Sequence, residues 1–571
     1  MFRQFLFYVL FGALFIISGS SEEKPNIVMF LIDDQDLNQL SVYGGSAPTP
    51  NLKKMAEDGI LFNQAYVSST VCTPSRYSFL TGRYAGSAYD KSYLKECPKG
   101  KQGFISFNMG LEDDNMNVGA VLSKNGYATG FVGKYHAHGS EGHSDNHKYG
   151  LKEIPTDIKD LNLVSQIFHH NEKIHRKLIK ERGFTWVKNV YWGNMVKPFS
   201  EHNPEWTMDA ALEFIEEHKS QPFYLHYCST LLHGPNKSWW KSLEQPDVTG
   251  EGIVKQRPEI LKARKALLKK IKSQGFNEDH FGIAWIDANL GILMKKLKEL
   301  GLEKNTLIVF APDHGSSNKG SVYSHNGCKI PMIMKWPAVI PAGIQSDALV
   351  QNIDMVPTFF DIAKADVPKE YKMHGQSLKA LFKNGQTSEW RDHLYFEIGS
   401  ARAVMTNEFK YITKRFTSEH IANIKKAKSI NLPKLLTPLN RLGIGARGVD
   451  HPDFWKEDQL YALKADPKEM KNKISNPEYA NIVKDMKAKL TKVLQSMNRP
   501  YGEFIPGSDT SGPGQIDAQI TLVEKLEVKG KKVTVPNRLK ADLAKYDASK
   551  PKGIDGEASS PRERKAKKDK K

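Results

Sequence analysis

Four short runs of apolar residues are the clearest pattern along this 571-residue chain. They are NIVMFLI at 26–32, YATGFVG at 127–133, FYLHYC at 223–228 and TLIVFA at 306–311. Such runs are typical of strands that are buried on both faces of a parallel sheet. Segment 283–300 instead has apolar residues at helical spacing, and Gly301 suits the position just past a helix C-terminus. Strands that alternate with helices predict an α/β fold.

The pattern changes after about residue 385. The stretch HLYFEIGSARAVMTNEFKYITKRF predicts antiparallel strands joined by turns, and residues 478–497 predict an amphipathic helix. From residue 501 onward Gly, Pro, Ser, Asp and Lys dominate, and the chain ends in a basic tail that is predicted to be disordered. We therefore predict a large domain at 21–384, a smaller α+β domain at 385–500 and an extension at 501–571.

The N-terminal segment has the features of a secretory signal peptide. Arg3 precedes an apolar run at 5–17, and the small residues Ser-Gly-Ser follow at 18–20. An uncleaved anchor is the alternative, but the run is short for a bilayer span. We predict cleavage near residue 20, a secreted or periplasmic protein, and no membrane span in the mature chain.

The mature chain has four cysteines and an excess of positive charge. Four cysteines permit two disulfides whose pairing cannot be read from spacing, and the lack of a C-x-x-C pair argues against a thiolate zinc site. The formal net charge of +18 suits an anionic partner such as nucleic acid, a membrane surface or an acidic glycan. No nucleic-acid-binding motif accompanies the charge, so we predict no nucleic-acid partner.

Each of the four apolar runs leads directly into charged or imidazole side chains. These are Asp33 and Asp34, then Lys134 and His136, then His233, and finally Asp313 and His314. In α/β folds ligands bind beyond the carboxyl ends of the strands, so these residues predict one site. Neighbouring carboxylates are hard donors that suit Ca²⁺ or Mg²⁺ better than zinc. The alternative for Asp33 and Asp34 is a helix cap and a solvated neighbour.

The stretch VCTPSRYSFLTGR at 71–83 predicts a short helix. Thr73 suits its N-cap and Pro74 its first position, which places Cys72 at a helix N-terminus, where anions are favoured. Arg76 then lies one turn along the helix. A structural disulfide and a thiol nucleophile of low pKa are both open interpretations of Cys72.

The segment CTPSR at 72–76, followed by YSFLTGRY, resembles the signature of type I sulfatases, the formylglycine-dependent sulfatases of the alkaline phosphatase superfamily. The likeness covers most of residues 25–475. Its further segments are TPNLKKMAEDGILFNQAY, TGFVGKYH, LLHGP, PDHG, KIPMIMKWP and QLYALKADPKEMKN. The resemblance implies a sandwich with a large, mostly parallel central sheet flanked by helices, plus a smaller C-terminal α+β domain. It makes the domain at 21–384 catalytic.

The resemblance also implies the activity and the cofactors. The protein would be an exported sulfatase acting on a sulfated, polyanionic carbohydrate, and a formylglycine-generating maturase would convert Cys72 into the hydrated nucleophile. The calcium ligands would be Asp33, Asp34, Asp313 and His314.

Five further site residues follow from the same resemblance. Arg76 would hold the oxygen of the nucleophile, and Lys134 and Lys319 would bind the sulfate group. His233 would contact the substrate and protonate the departing alcohol. His136 would take a proton from the second hydroxyl of the nucleophile.

Some positions depart from the family pattern or carry no clear role. The segment around Lys319 is offset by about one residue, which makes Lys329 the alternative sulfate-binding lysine. His138 could contact either substrate or solvent. Trp239 and Trp240 could stack on sugar rings, although helix packing is the commoner role of such residues.

Two other functions remain as alternatives. A phosphoester or phosphonate hydrolase of the same superfamily would share the fold and the metal ligands, but the cysteine signature argues against it. A non-catalytic protein that binds sulfated glycans would explain the charge, but the complete set of aspartates, lysines and histidines argues against it.

Overall fold

The computed structural model describes residues 23–138, 149–155, 160–234, 242–258, 264–276, 279–417, 451, 453 and 456–507. The signal peptide predicted at 1–20, the pair Trp239 and Trp240, and residues 508–571 of the extension lie outside the described residues. Within the described part, no helix is both long enough and apolar enough to cross a bilayer.

The described strands form one large sheet, one smaller sheet and two short pairs. The strands are β1 (Asn26–Ile32), β2 (Ile60–Phe62), β3 (Ala65–Tyr66), β4 (Ala128–Lys134), β5 (Trp186–Tyr191), β6 (Phe223–Cys228), β7 (Val248–Thr249), β8 (Gly252–Ile253), β9 (Thr306–Pro312), β10 (Met332–Lys335), β11 (Ile344–Ser346), β12 (Val350–Gln351), β13 (Leu394–Ile398), β14 (Ala401–Met405), β15 (Phe409–Lys414) and β16 (Asp458–Ala462).

The large sheet has eight strands in the order β11-β2-β10-β9-β1-β6-β4-β5. Strand β10 runs antiparallel to both of its neighbours. The remaining pairings of this sheet are parallel. The prediction of a large, mostly parallel sheet is therefore confirmed.

Helices cover both faces of this sheet, and the last described helix packs on the smaller sheet instead. They are α1 (Pro50–Glu57), α2 (Cys72–Thr81), α3 (Lys91–Glu96), α4 (Val118–Lys124), α5 (Leu161–Glu181), α6 (Pro204–Glu217), α7 (Arg264–Ser273), α8 (Asp279–Glu299), α9 (Met355–Ala363) and α10 (Ala480–Met497). Alternate residues of β1 enter two different cores, because successive side chains of a strand point to opposite faces. Met29 lies in the core that contains α2, and Phe30 lies in the core that contains α8.

Strands β13 to β16 form the smaller, fully antiparallel sheet. Helix α10 packs on this sheet through Met486, Leu490 and Leu494, which share a core with Val404 and Tyr411. The smaller α+β unit is thus present. The domain boundaries at 384 and 500 stay predictions.

Backbone hydrogen bonds join the loops that follow three neighbouring strands. The Asp33 amide donates to the Leu231 carbonyl at 2.8 Å, and the Asp313 amide donates to the Ile32 carbonyl at 2.8 Å. The Ser229 amide donates to the Leu31 carbonyl at 2.9 Å. The carboxyl ends of β1, β6 and β9 therefore form one connected edge, where polar side chains can converge.

Candidate active site

Helix α2 presents Cys72 at its first position. Val71 is the N-cap, with extended backbone, and its carbonyl accepts the first helical hydrogen bond from the Ser75 amide at 3.3 Å. The expectation that Thr73 caps this helix is wrong, because the helix begins one residue before it. Pro74 is tolerated inside the first turn, where amide groups have no acceptor within the helix. Cys72 still lies at the helix N-terminus, and it is 1% exposed.

Among the described residues, four side chains contact the Cys72 sulfur. Lys134 Nζ and Lys319 Nζ each lie 3.7 Å away, His314 Nε2 lies 3.4 Å away, and Asp33 Oδ1 lies 3.7 Å away. Two lysines, an imidazole and the Asp33 carboxylate therefore surround the sulfur, and a carboxylate oxygen of Asp313 lies within 4.8 Å of it. This arrangement favours negative charge at that position.

The pKa of Cys72 reflects the same surroundings. Burial and the Asp33 carboxylate raise the pKa of this thiol, but Lys134, Lys319 and His314 lower it more, to about 6. The two lysines and the imidazole therefore outweigh burial and Asp33, and they favour the thiolate form at position 72. All four cysteines of the chain lie in the described part and are free, so Cys72 has no disulfide partner here.

Arg76 holds two of the carboxylates. Its Nε donates to Asp313 Oδ2 at 3.0 Å, its Nη2 lies 3.4 Å from Asp33 Oδ2, and its Nη1 donates to the Lys134 carbonyl at 2.8 Å. Burial lowers the pKa of Arg76, but these two carboxylates raise it above its ordinary value, so the group stays charged. Arg76 is not among the side chains that contact the Cys72 sulfur, and its predicted contact with the nucleophile's oxygen stays a prediction.

Three of the four predicted metal ligands lie close together with Cys72. Ligand atoms of Asp33, Asp313, His314 and Cys72 all lie within 4.8 Å of one another. Asp34 adjoins this group, since its Oδ1 lies 3.3 Å from His314 Nδ1. The donor set is rich in carboxylate oxygen, as Ca²⁺ prefers.

The charges of these carboxylates also fit a cation. Burial and the charge of Asp33 raise the pKa of Asp313 to about 7. Burial also raises the pKa of Asp33, but Lys134 and Arg76 lower it more, and its net pKa is well below the ordinary value. The two buried carboxylates thus repel each other, and a divalent cation between them would relieve that repulsion.

Two site residues have left-handed backbone. Asp34 has φ of 56° and His136 has φ of 46°. Residues other than glycine rarely adopt this backbone conformation, and those that do cluster at functional sites. Both residues follow the end of a strand, so the backbone turns sharply where the predicted site begins.

Lys134 is the last residue of β4, one residue beyond the strand end predicted from the sequence. Its ammonium pairs with Asp33, and it donates to Asn194 Oδ1 at 2.7 Å. Sequence reasoning missed Asn194. The rule that polar residues follow strand ends could have found it, but Lys188 and Asn189 interrupt the apolar pattern of β5.

The structure separates the two candidate sulfate-binding lysines. Lys319 donates to Asp34 Oδ1 at 2.8 Å and reaches the Cys72 sulfur. The Lys329 ammonium instead lies 5.9 Å from the centre of the Tyr66 ring. The geometry therefore places Lys319, not Lys329, in the charged cluster.

His136 and His233 lie on the loops after β4 and β6. The buried His136 ring lies between Phe107, at 5.6 Å between ring centres, and His138, at 5.8 Å. His233 is partly exposed, and its Nδ1 lies 3.1 Å from the Gly234 carbonyl oxygen. Their catalytic roles stay predictions.

His202 is a buried residue near the site that the sequence did not reveal. It is fully buried, and its Nδ1 lies 2.9 Å from Thr230 Oγ1, three residues before His233. Burial, and then the charge of His233, lowers the pKa of His202 to about 3. No sequence motif marks this residue, because its partner Thr230 lies on another loop, 28 residues further along the chain.

Two family models match the chain. The model described as Sulfatase matches residues 25–365, which is more than half of the chain. The model described as N-sulphoglucosamine sulphohydrolase, C-terminal, matches residues 312–427.

Named proteins are similar to the chain along most of their length. An ulvan-active sulfatase of Formosa agariphila is 24% identical over 502 residues, covering 86% of this chain and 82% of the relative. An N-acetylglucosamine-6-O-sulfatase of Bacteroides thetaiotaomicron is 24% identical over 544 residues, covering 85% and 88%. The crystal structure of the sulfatase PsFucS1 from Pseudoalteromonas sp. has a TM-score of 0.51 and 19% identity, covering 86% and 92%. The structural likeness shows a shared fold.

Proposed function

Because this chain belongs to the type I sulfatase family of the alkaline phosphatase superfamily and is a sulfuric ester hydrolase, we propose that it is exported and removes sulfate from a sulfated carbohydrate. In this proposal Cys72 is converted to formylglycine and a Ca²⁺ ion is bound beside it. The observation that carries the proposal is the buried Cys72 sulfur, which two lysines, one histidine and one carboxylate contact.

Position 72 suits a formylglycine nucleophile. The CTPSR segment matches the conversion signal, the cysteine is free, and it begins helix α2. Formylglycine would supply a hydrated aldehyde, with one hydroxyl to attack sulfur and a second through which sulfate is released. Lys134, Lys319 and His314, which surround this position, would stabilise negative charge on the attacking oxygen.

Four side chains would hold the calcium ion: Asp33, Asp34, Asp313 and His314. The ion would neutralise charge on the oxygens of the sulfate ester. Arg76 holds Asp33 and Asp313 in place from the side of α2.

Lys134 and Lys319 would bind the sulfate group. Their ammonium groups lie at equal distances from the Cys72 sulfur. Asp33 and Asn194 hold Lys134 in place, and Asp34 holds Lys319. Because these cations are positioned before the substrate arrives, they can stabilise charge in the transition state without reorganisation.

Two histidines would handle the protons. His233, partly exposed after β6, would donate a proton to the departing alcohol oxygen. His136, buried and held between Phe107 and His138, would accept a proton when sulfate is released.

Four observations support a sulfated carbohydrate as substrate. Two relatives are named for ulvan and for N-acetylglucosamine 6-O-sulfate, and the net charge of this chain is +18. A cavity of about 490 Å³ is lined by Asn194, Lys152 and Lys197, among others, so it adjoins Lys134 through Asn194. Phe107 is 42% exposed beside His136 and offers a flat apolar face to a sugar ring.

A substrate screen tests the proposal. The protein is produced together with a formylglycine-generating maturase and incubated with ulvan oligosaccharides, N-acetylglucosamine 6-sulfate, 4-nitrophenyl sulfate and 4-nitrophenyl phosphate. We expect release of sulfate from at least one saccharide, and no release by Cys72→Ala. Faster release of phosphate than of sulfate would favour the phosphoester hydrolase instead, and saccharide binding without any hydrolysis would favour the glycan-binding protein.

A further inference from the structure

The segment QLYALKADPKEMKN at 459–472 contributes no side chain to the proposed site, yet it contains an unusual buried acid. Glu469 is 0% exposed and has left-handed backbone, with φ of 59°. Its Oε2 accepts a hydrogen bond from the Ser324 amide at 2.8 Å, and its Oε1 lies 3.1 Å from Lys410 Nζ. Both the backbone strain and the burial of the carboxylate cost free energy, so other interactions of Glu469 must offset this cost.

Lys410, the partner of Glu469, binds the same segment of chain. Lys410 belongs to β15 of the smaller sheet and is 0% exposed. Its ammonium donates to the Val322 carbonyl and to Ser324 Oγ, the latter at 2.8 Å. A buried ion pair by itself contributes little to stability, since removing two charges from water offsets their attraction. What this pair does in addition is to hold residues 322–324.

Residues 319–324 lie between this ion pair and the loop that leads into Cys72. The Gly320 amide donates to the Thr70 carbonyl at 3.0 Å, and the Thr70 hydroxyl donates to the Ser321 carbonyl. Thr70 precedes Cys72 by two residues. The segment that carries Lys319 is therefore held on one side by the approach to the nucleophile and on the other by the smaller sheet.

We infer that Glu469 and Lys410 are positioning residues for Lys319. They fix residues 322–324 so that the Lys319 ammonium stays 3.7 Å from the Cys72 sulfur. The inference rests on the proposed function, in which Lys319 binds the sulfate group. The smaller domain thus contributes to sulfate binding although neither positioning residue contacts the Cys72 sulfur.

The test uses two variants in the full-length, matured enzyme. Lys410→Met combined with Glu469→Gln removes the pair without leaving an unpaired buried charge, and Ser324→Ala removes one contact while keeping the pair. The readouts are kcat and KM for 4-nitrophenyl sulfate and the inhibition constant of inorganic sulfate. For the double variant we expect weaker sulfate inhibition and a kcat/KM that falls by roughly 10- to 100-fold, as for a misplacement of about 1 Å. Ser324→Ala should change both readouts in the same direction, but less.

The same substitutions in a Lys319→Met background separate positioning from general damage. If the pair acts through Lys319, the substitutions cause little further loss there, because the effects of coupled residues do not add. Glu503→Gln is the control: its partly exposed carboxylate pairs with Arg415, the residue after β15, at 2.7 Å. We expect this control to keep wild-type kinetics.

Two results would overturn the inference. One is an equal loss of kcat/KM when the pair is removed from wild-type and from Lys319→Met enzyme. The other is an unchanged inhibition constant of sulfate in the pair variants that keep Lys319. If the double variant does not fold, Ser324→Ala decides by the same comparison. Wild-type sulfate affinity in Lys319→Met alone would contradict the proposed role of Lys319. If Lys319→Met loses sulfate affinity but the pair variants do not, only the positioning role of Glu469 and Lys410 is contradicted.

Discussion

The ammonium group of Lys319 lies 3.7 Å from the sulfur of Cys72, although 247 residues separate the two along the chain. Lys329 has a similar position in the sequence motif but lies against the Tyr66 ring instead. We predict that Lys319→Met lowers kcat/KM by about 10²- to 10³-fold, as removal of a group that stabilises transition-state charge does. Lys329→Met should stay near wild-type. Steady-state kinetics of both variants, side by side, check this, and a larger loss in Lys329→Met would reverse the assignment.

Calcium should be required for activity and should also stabilise the fold. An ion that binds the folded chain alone raises its unfolding temperature. We predict that Ca²⁺ raises the unfolding temperature of wild-type protein over EDTA-treated protein, and that Asp313→Asn loses this increase together with activity. Asn can still accept the hydrogen bond from Arg76 Nε, so the variant should fold. Asp247→Asn, which affects an exposed pair with Arg257, is the control. Unchanged activity after verified metal removal would exclude a calcium role.

Substitution of His233 and of His136 should slow different steps of the reaction. His233→Ala should slow cleavage most for poor leaving groups, because an acidic alcohol departs without needing a proton. His136→Ala should instead slow the release of sulfate and let sulfated enzyme accumulate. Rates across aryl sulfates of graded leaving-group pKa, with mass spectrometry of the enzyme, distinguish the two. Equal losses on good and poor leaving groups in both variants would contradict this division of roles.

His202 should make stability depend on pH. Burial, and then the charge of His233, holds the folded-state pKa of His202 at about 3, well below the unfolded value of ~6.5. The unfolded chain therefore binds the proton first as the pH falls, and the contribution of His202, present above pH ~6.5, is lost on acidification. Between about pH 7.5 and pH 5, the stability advantage of wild-type over His202→Gln should shrink by up to about 2 kcal/mol. Chemical denaturation at both pH values measures it, and a constant difference would show that His202 titrates normally.

The sequence was most informative where burial is complete on both faces of a strand. Strands β1 and β6 have the bounds that their apolar runs predict, and Asp33 follows β1 as expected. The sequence did not predict strand β5, because polar residues interrupt its apolar pattern at the edge of the sheet. Asn194, which follows this strand, was not predicted for the same reason. Local pattern cannot reveal such residues when tertiary contacts decide their position.

The contacts around helix α2 and residues 319–324 show the same limit. The observed N-cap of α2, Val71, lies two residues before the predicted N-cap Thr73, because Pro74 is tolerated inside the first turn as well as at its start. The choice between Lys319 and Lys329 depends on how Glu469 and Lys410 hold a segment that lies far from them in sequence. Spacing alone could not decide between the two lysines.

The central claim is that position 72 becomes formylglycine. It rests on the CTPSR segment, on the free and buried sulfur at the start of α2, and on the two lysines that surround it. Peptide mass spectrometry of the fragment containing VSSTVCTPSR, from active protein made with a maturase, tests it most directly. We predict the mass of an aldehyde that also reacts with a hydrazine, and no turnover by Cys72→Ala. An unmodified thiol at position 72, or a disulfide to another cysteine, in fully active enzyme would contradict the claim.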